Sequence, residues 1–161
     1  MGQRGGTSVG LAYHHFGSKA GLIAAVVEDF YARYTETVNA RFEGERWAAR
    51  ERARTAALVD FFLDDPFART LLGPLGRSPE VVSAEASCMA AMIELGARNI
   101  AAGQQSGELD PALDPALAGG FVLGGVRQSL TLALAQDAHP DRHALADACW
   151  QLIARTLGSQ I

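Results

Sequence analysis

Apolar residues recur every three or four positions along most of this chain, which is the period of one face of an α-helix. The alternation of apolar and polar residues that is typical of a half-buried strand is almost absent. The longest regular row lies between Pro79 and Gln105, with spacings of four and three in turn: Val82, Ala86, Met89, Ile93, Gly96 and Ile100. The pattern predicts an all-α fold in which this row faces other helices.

Capping residues and helix breakers divide the chain into predicted helices. Ser18 and Asp114 are suited to cap the helices that follow them, because their side-chain oxygens can accept hydrogen bonds from free main-chain N–H groups. Pro66 and Pro115 suit a first helical turn. The predicted helices are Ser8 to Phe16, about Lys19 to Arg41, Arg46 to Leu63, a short one ending at Leu72, Pro79 to about Gln105, Pro115 to Gln136, and Pro140 to Leu157.

Composition limits the class of protein. The 161 residues are 48% hydrophobic and 20% charged, which fits one globular domain and excludes a disordered chain. Cys88 and Cys149 have no ligand-like spacing and are interpreted as buried free thiols in a reducing, cytoplasmic compartment. Residues 1–27 contain Arg4 and Lys19 and no acidic residue, although the net charge is −4. Only this basic head is expected to meet a polyanion. Arginine outnumbers lysine thirteen to one, which indicates a GC-rich bacterial source.

The segment Pro115 to Gln136 is nearly all apolar and is long enough to span a membrane. Arg127 near its middle, and acidic residues at both ends, argue against a membrane span. We therefore expect a helix that is buried on most sides. A chain of this size rarely surrounds a helix so fully, so we expect a homodimer formed through the helices at about 115–136 and 140–157.

No set of residues indicates catalysis. The chain lacks a nucleophile with a base and an orienting group, and its glycine pairs do not follow strands, so we expect neither an enzyme nor a cofactor. His139 and His143 are four apart, but Pro140 favours a helix-entry role over a metal pair. Arg46, Arg50 and Arg54 are interpreted as a solvated face that pairs with nearby acids. Phe61, Met89 and Met92 are interpreted either as the lining of an apolar pocket or as plain core.

The stretch "SVGLAYHHFGSKAGL", from Ser8 to Leu22, resembles the end of the helix-turn-helix in TetR/AcrR-type transcriptional repressors. The matching residues are Ser8, Gly10, Tyr13, His15, Phe16, the Gly17-Ser18-Lys19 turn and Leu22. The resemblance implies a partial helix-turn-helix over residues 1–18 and a ligand-binding and dimerisation domain over residues 19–161. It also implies a homodimeric repressor that a small apolar ligand releases from a palindromic operator.

The resemblance implies DNA-contacting roles for nine residues: Thr7, Ser8, Val9, Gly10, Leu11, Tyr13, His14, His15 and Lys19. Small residues at the start of a recognition helix let its backbone approach the major groove, and hydroxyl, imidazole and ammonium groups can bind phosphates. Val9, Leu11 and His14 are the expected base readers. For His14, a solvent-facing position is the equal alternative.

The family's motif has two further helices before the matched stretch, whereas "MGQRGG" precedes Thr7 here. Six residues with three glycines cannot form a helix. We therefore expect an incomplete DNA-binding head with weak or no specific DNA binding. The alternative hypothesis is a helical module that binds a ligand and dimerises without acting on DNA.

Overall fold

The structure, a computed structural model, describes residues 18–159 apart from the side chain of Leu75. The predicted helix from Ser8 to Phe16 lies outside the described residues. Within them the chain forms six α-helices and no strand, in agreement with the all-α prediction. The helices are α1 (Lys19–Asn39), α2 (Trp47–Asp64), α3 (Ala68–Leu72), α4 (Pro79–Gln105), α5 (Pro115–Gln136) and α6 (Arg142–Thr156), with a 3₁₀ turn over Pro74–Arg77.

The helices begin where side chains satisfy their free N–H groups. The Ser18 hydroxyl accepts a hydrogen bond from the Gly21 N–H at 3.0 Å, and the Asp114 carboxylate accepts from Ala116 and Leu117, both at 2.9 Å. These two predicted caps are confirmed. The last helix begins at Arg142 and not at Pro140, because Asp141 accepts from His143 and Ala144 and so fixes the first turn there.

The long helices pack as a bundle around one core. Helix α4 lies between α1 and α5, and α2 packs against α6. The aromatic rings of α1 and α2 fill one end of the core, where Phe30 is fully buried against Phe61 and Phe62. Trp47 and Trp150 meet at the other end, with ring centroids 6.3 Å apart. This arrangement leaves a cavity between the two aromatic ends.

The buried row of α4 differs from the predicted one in the first half of the helix. Val82 is 54% exposed and Ala86 is exposed, whereas Val81 and Glu85 are buried. The predicted row is one residue out of register at this end of the helix. Glu85 faces inward, where it forms an ion pair with Arg127 of α5.

The single chain leaves most of α5 uncovered, so the prediction of a helix buried on most sides depends on the subunit interface and stays a prediction. Only 17% of its most apolar 18-residue window is buried, although the helix is long and apolar enough to cross a membrane by length and composition. Leu117 is 77% exposed and Phe121 is 69% exposed. One face of α5 packs on α4 and the opposite face lacks cover within residues 18–159.

Candidate ligand cavity

A cavity of about 130 Å³ lies in the middle of the bundle. All the long helices contribute to its wall, so its shape depends on how they pack together. The wall is mostly apolar and is formed by these side chains among others: Val38, Trp47, Leu58, Met92, Leu95, Ile100, Val122, Leu123, Val126, Ile153 and Leu157. Such a wall favours an apolar occupant.

One corner of this cavity is polar and internally paired. The Asn99 amide nitrogen donates to the Glu51 carboxylate at 2.8 Å, and Arg54 forms an ion pair with the same carboxylate. The Arg54 Nε–H also donates to the Val38 carbonyl at 2.8 Å, and its guanidinium lies over the Phe42 ring. We call Glu51, Arg54 and Asn99 the polar corner. Its two opposite charges neutralise each other.

Tyr34 of α1 also lines the cavity and is only 4% exposed. Burial raises the pKa of its hydroxyl, and the negative charge of Glu51 raises it further. The group is therefore a neutral donor at physiological pH. No hydrogen bond joins its hydroxyl to another group among residues 18–159, and the hydroxyl oxygen is not one of the fully buried atoms of this part of the chain that lack a partner. This contrasts with Tyr31, one turn earlier, whose hydroxyl is fully engaged.

Tyr31 belongs to a buried cluster that joins three helices. Its hydroxyl donates to Glu85 of α4 at 2.7 Å, and Arg127 of α5 lies 2.8 Å from the same carboxylate oxygen. Burial and the Glu85 carboxylate raise the pKa of Tyr31. Burial alone would lower the pKa of Arg127. The interactions of its guanidinium with Glu85 and Tyr31 outweigh this effect, so the pKa of Arg127 is raised. We call these three residues the buried triad.

The buried triad lies next to the cavity. A neighbouring, much smaller cavity of about 10 Å³ is lined by Tyr31 and Arg127 and shares Tyr34, Leu58, Leu123 and Val126 with the candidate ligand cavity. A change in the shape of the candidate ligand cavity therefore acts on walls that the triad also touches.

The three predicted pocket residues lie in different places. Met92 lines the candidate ligand cavity, and Met89 lines the small neighbouring one, where the Tyr31 hydroxyl lies 3.2 Å from the Met89 sulfur. Phe61 borders neither cavity and packs in the aromatic cluster with Phe30, Tyr34 and Phe62. Their role in ligand binding stays a prediction.

Of the nine predicted DNA-contacting residues, only Lys19 lies in the described part of the chain. It is exposed in the first turn of α1. Thr7, Ser8, Val9, Gly10, Leu11, Tyr13, His14 and His15 lie outside the described residues. Their role also stays a prediction.

His139 and His143 do not form a metal site with other side chains. Between Ser18 and Ser159, no group of three histidine, cysteine, aspartate or glutamate side chains is placed to hold a metal ion. The nearby carboxylate of Asp141 serves as a helix cap, and the main-chain N–H groups of Ala144 and His143 lower its pKa.

Exposed apolar side chains lie on both α5 and α6, two helices that contact each other. Leu117, Phe121 and Leu132 point outward from α5 at helical spacing, and Leu152 of α6 is 57% exposed. Gly124 and Gly125 lie along the same stretch of α5, and a Cβ added at either would meet no atom within 4 Å. We call this surface the α5–α6 face. An exposed apolar surface is typical of a site where proteins associate.

Sequence reasoning missed the polar side of the cavity. The sequence analysis interprets Arg54, with Arg46 and Arg50, as part of a solvated face that pairs with nearby acids. Arg54 does pair with an acid, Glu51, but the pair lies at the cavity wall and not in solvent. The spacing between Glu51 and Leu58 places Glu51 on the buried face of α2. This spacing could have indicated that Arg54 has an acidic partner at the cavity wall. Asn99 gave no signal of its own, because its partner comes from another helix.

Solved structures with the same fold include two from Rhodococcus. A Rhodococcus sp. protein, provisionally assigned as a TetR-family transcriptional regulator, superposes with a TM-score of 0.69 and 21% identity, covering 94% of this chain and 82% of its own. A protein of unknown function from Rhodococcus sp. RHA1 gives a TM-score of 0.60 and 22% identity, covering 91% and 77%. No protein-family sequence profile and no curated protein sequence matches the chain. Identity at this level establishes the architecture alone. The chain has the TetR-like fold that its sequence predicts.

Proposed function

We propose that this protein is a TetR-type transcriptional regulator, a homodimeric bacterial repressor that a small apolar ligand releases from DNA. The ligand occupies the cavity between the long helices. Its binding shifts α1, and α1 carries at its start the helix-turn-helix-like stretch that contacts a palindromic operator. Release from the operator then follows from a changed separation of the two recognition helices.

The observation that carries the proposal is the double role of α1. Its first residue, Lys19, follows the motif directly, and its later residues Tyr34 and Val38 line the cavity. One rigid helix therefore connects the cavity to the predicted DNA-contacting residues. A ligand that changes the position of Tyr34 must move or strain the same helix that begins at Lys19.

The α5–α6 face supports the dimer. Leu117, Phe121, Leu132 and Leu152 expose apolar side chains that a second copy of this chain would cover through a two-fold axis. The glycines of α5 allow close approach of a partner helix. Helices α5 and α6 are also the two that the sequence analysis assigns to dimerisation.

The first experiment measures DNA binding by fluorescence anisotropy on DNA from upstream of the protein's own gene. Intact-mass analysis of protein from its own cell defines the native N-terminus, and the assay uses that form. We expect Lys19→Ala to weaken binding to all sequences alike and to lower the salt slope of the binding constant by about one. Arg98→Ala, an exposed position on α4, is the matched control and should change neither quantity.

A second arm mimics the ligand. Val122→Phe places a ring inside the cavity and is expected to lower operator affinity, whereas Val82→Phe at an exposed valine of α4 should leave it unchanged. Thermal unfolding checks that both variants fold. Equal operator affinity for Val122→Phe and the unmodified protein would contradict release through the cavity. A native protein that binds no DNA specifically would favour the helical ligand-binding module instead.

A further inference from the structure

The cavity combines three features that together restrict the chemistry of its occupant. It is small, its wall is apolar, and its polar groups lie on one side. A volume of about 130 Å³ is close to that of an engineered cavity of about 150 Å³ that binds benzene. The occupant is therefore about the size of one substituted ring.

The two charges of the polar corner are paired with each other. Arg54 and Asn99 both bond to the Oε2 atom of Glu51, and Arg54 also donates to the Val38 carbonyl. A carboxylate entering beside Glu51 would meet a like charge, and an ammonium group would meet Arg54. Either ion would lose its hydration without gaining a free counter-charge. The corner therefore disfavours ions of both signs.

The Tyr34 hydroxyl is an uncharged group that remains free to bind. Tyr34 lines the cavity and is 4% exposed, and no hydrogen bond joins its hydroxyl to another group among residues 18–159. Within these residues the one fully buried side-chain atom without a partner is the Ser159 hydroxyl oxygen, so the Tyr34 hydroxyl keeps some accessibility to an occupant. A donor in this position is satisfied by a neutral acceptor such as a carbonyl oxygen. An occupant that supplies this oxygen gains a hydrogen bond that a pure hydrocarbon cannot make.

We propose that the cavity recognises an uncharged molecule about the size of one ring, with a carbonyl-type oxygen that accepts a hydrogen bond from Tyr34. This inference rests on the proposed function, because it names the chemical class of the effector at the same site. The polar corner serves to exclude ions, and the apolar wall holds the ring.

The test uses four planar probes of nearly equal shape in isothermal titration calorimetry on the full chain. Acetophenone carries the acceptor, α-methylstyrene replaces its oxygen by CH₂, benzoate is an anion and benzamidine is a cation. We expect acetophenone to bind about tenfold more tightly than α-methylstyrene, the value of one buried hydrogen bond. Benzoate and benzamidine should bind more weakly than either.

Two variants assign the preference to Tyr34. Tyr34→Phe removes the hydroxyl and keeps the ring, so acetophenone should lose its advantage while α-methylstyrene binds as before. Tyr31→Phe is the matched control on the same helix, because that hydroxyl is already bonded to Glu85, and it should keep the preference. Val122→Phe should abolish the binding of acetophenone, and Val82→Phe should not.

Several results would overturn the inference. Tighter binding of benzoate or benzamidine than of acetophenone would show a charged effector. Equal binding of acetophenone and α-methylstyrene would show that Tyr34 does not take part in recognition. If none of the four probes binds, the assigned chemical class is refuted. These failures remain distinct from failure of the proposed function. If acetophenone binds but leaves operator affinity unchanged, the recognition chemistry stands and the regulatory mechanism does not.

Discussion

Glu85 and Arg127 form the only ion pair in residues 18–159 that joins α4 to α5, and the carboxylate is buried. Removing one partner of such a pair leaves an uncompensated charge in the interior. We expect Glu85→Gln to lower the free energy of unfolding by about 3 kcal/mol. Urea denaturation followed by circular dichroism measures the change.

The control for this prediction replaces both charges. In a variant with Glu85→Leu and Arg127→Met together, no charge is left unpaired, and such replacements are often close to neutral. This double variant should therefore be more stable than Glu85→Gln. If Glu85→Gln alone matches the unmodified protein, the triad does not hold the helices together.

Glu108 carries a pH-dependent contact outside the core. Its carboxylate accepts hydrogen bonds from the Trp47 N–H, with N–O distances of 2.8 and 2.9 Å, and so caps α2 from the loop after α4. The Trp47 N–H holds the pKa of Glu108 below its usual value of 4.5. The stabilisation is therefore complete above this pH and is lost as the pH falls through the lower, folded-state pKa.

Thermal unfolding at several pH values tests the cap. We expect Glu108→Gln to lower the melting temperature at pH 7, and the difference from the unmodified protein to shrink as the pH falls below 4.5. Glu94→Gln, at an exposed carboxylate paired with Arg98, is the control and should show a much smaller effect. A difference that stays constant down to pH 3 would contradict a charge-dependent cap.

At the scale of helices, α4 and α5 approach closely where Gly96 faces Gly119. A Cβ added at Gly119 would lie 3.1 Å from the Ala97 nitrogen and 3.2 Å from the Ile93 oxygen, both main-chain atoms of α4. A Cβ added at Gly96 would meet only the Gly119 Cα, at an ordinary 3.6 Å. Gly96 therefore has room for an added methyl group, whereas Gly119 does not.

We expect opposite outcomes for the two alanine substitutions. Gly119→Ala should lower the free energy of unfolding by about 1–2 kcal/mol, because the main chain of α4 must move. Gly96→Ala should raise it by up to about 1 kcal/mol through helix propensity. Urea denaturation of both variants measures the difference. Equal stabilities would mean that the contact is looser than its distances indicate.

The sequence predicted the helices better than the sides on which they meet. Caps such as Ser18 and Asp114 act within a few residues, so the predicted starts of α1 and α5 agree with the structure. The buried face of α4 was placed one residue out of register because Glu85 is buried only through Arg127, 42 positions away. The polar corner was missed for the same reason, since Asn99 and Glu51 come from different helices.

At the scale of the whole molecule, the exposed apolar side chains of the α5–α6 face predict that two copies of the chain form a dimer. If two copies meet there, Phe121→Asp should place two carboxylates in an apolar interface and raise the dimer dissociation constant by at least about tenfold. Sedimentation equilibrium measures the constant. Val82→Asp, at an exposed valine on α4, is the control and should leave it unchanged. A monomeric unmodified protein at micromolar concentration would contradict the proposed dimer.

The contact between Gly96 and Gly119 also affects which mutations the protein can accept during evolution. Main-chain atoms of α4 and α5 form this close contact between the two helices. The contact therefore does not depend on which side chains stand at Leu95, Val122 and Leu123 beside the cavity. Those side chains can be exchanged one at a time while the two helices keep their distance. A lineage that retains both glycines can thus acquire responses to new compounds by single point mutations and keep its architecture.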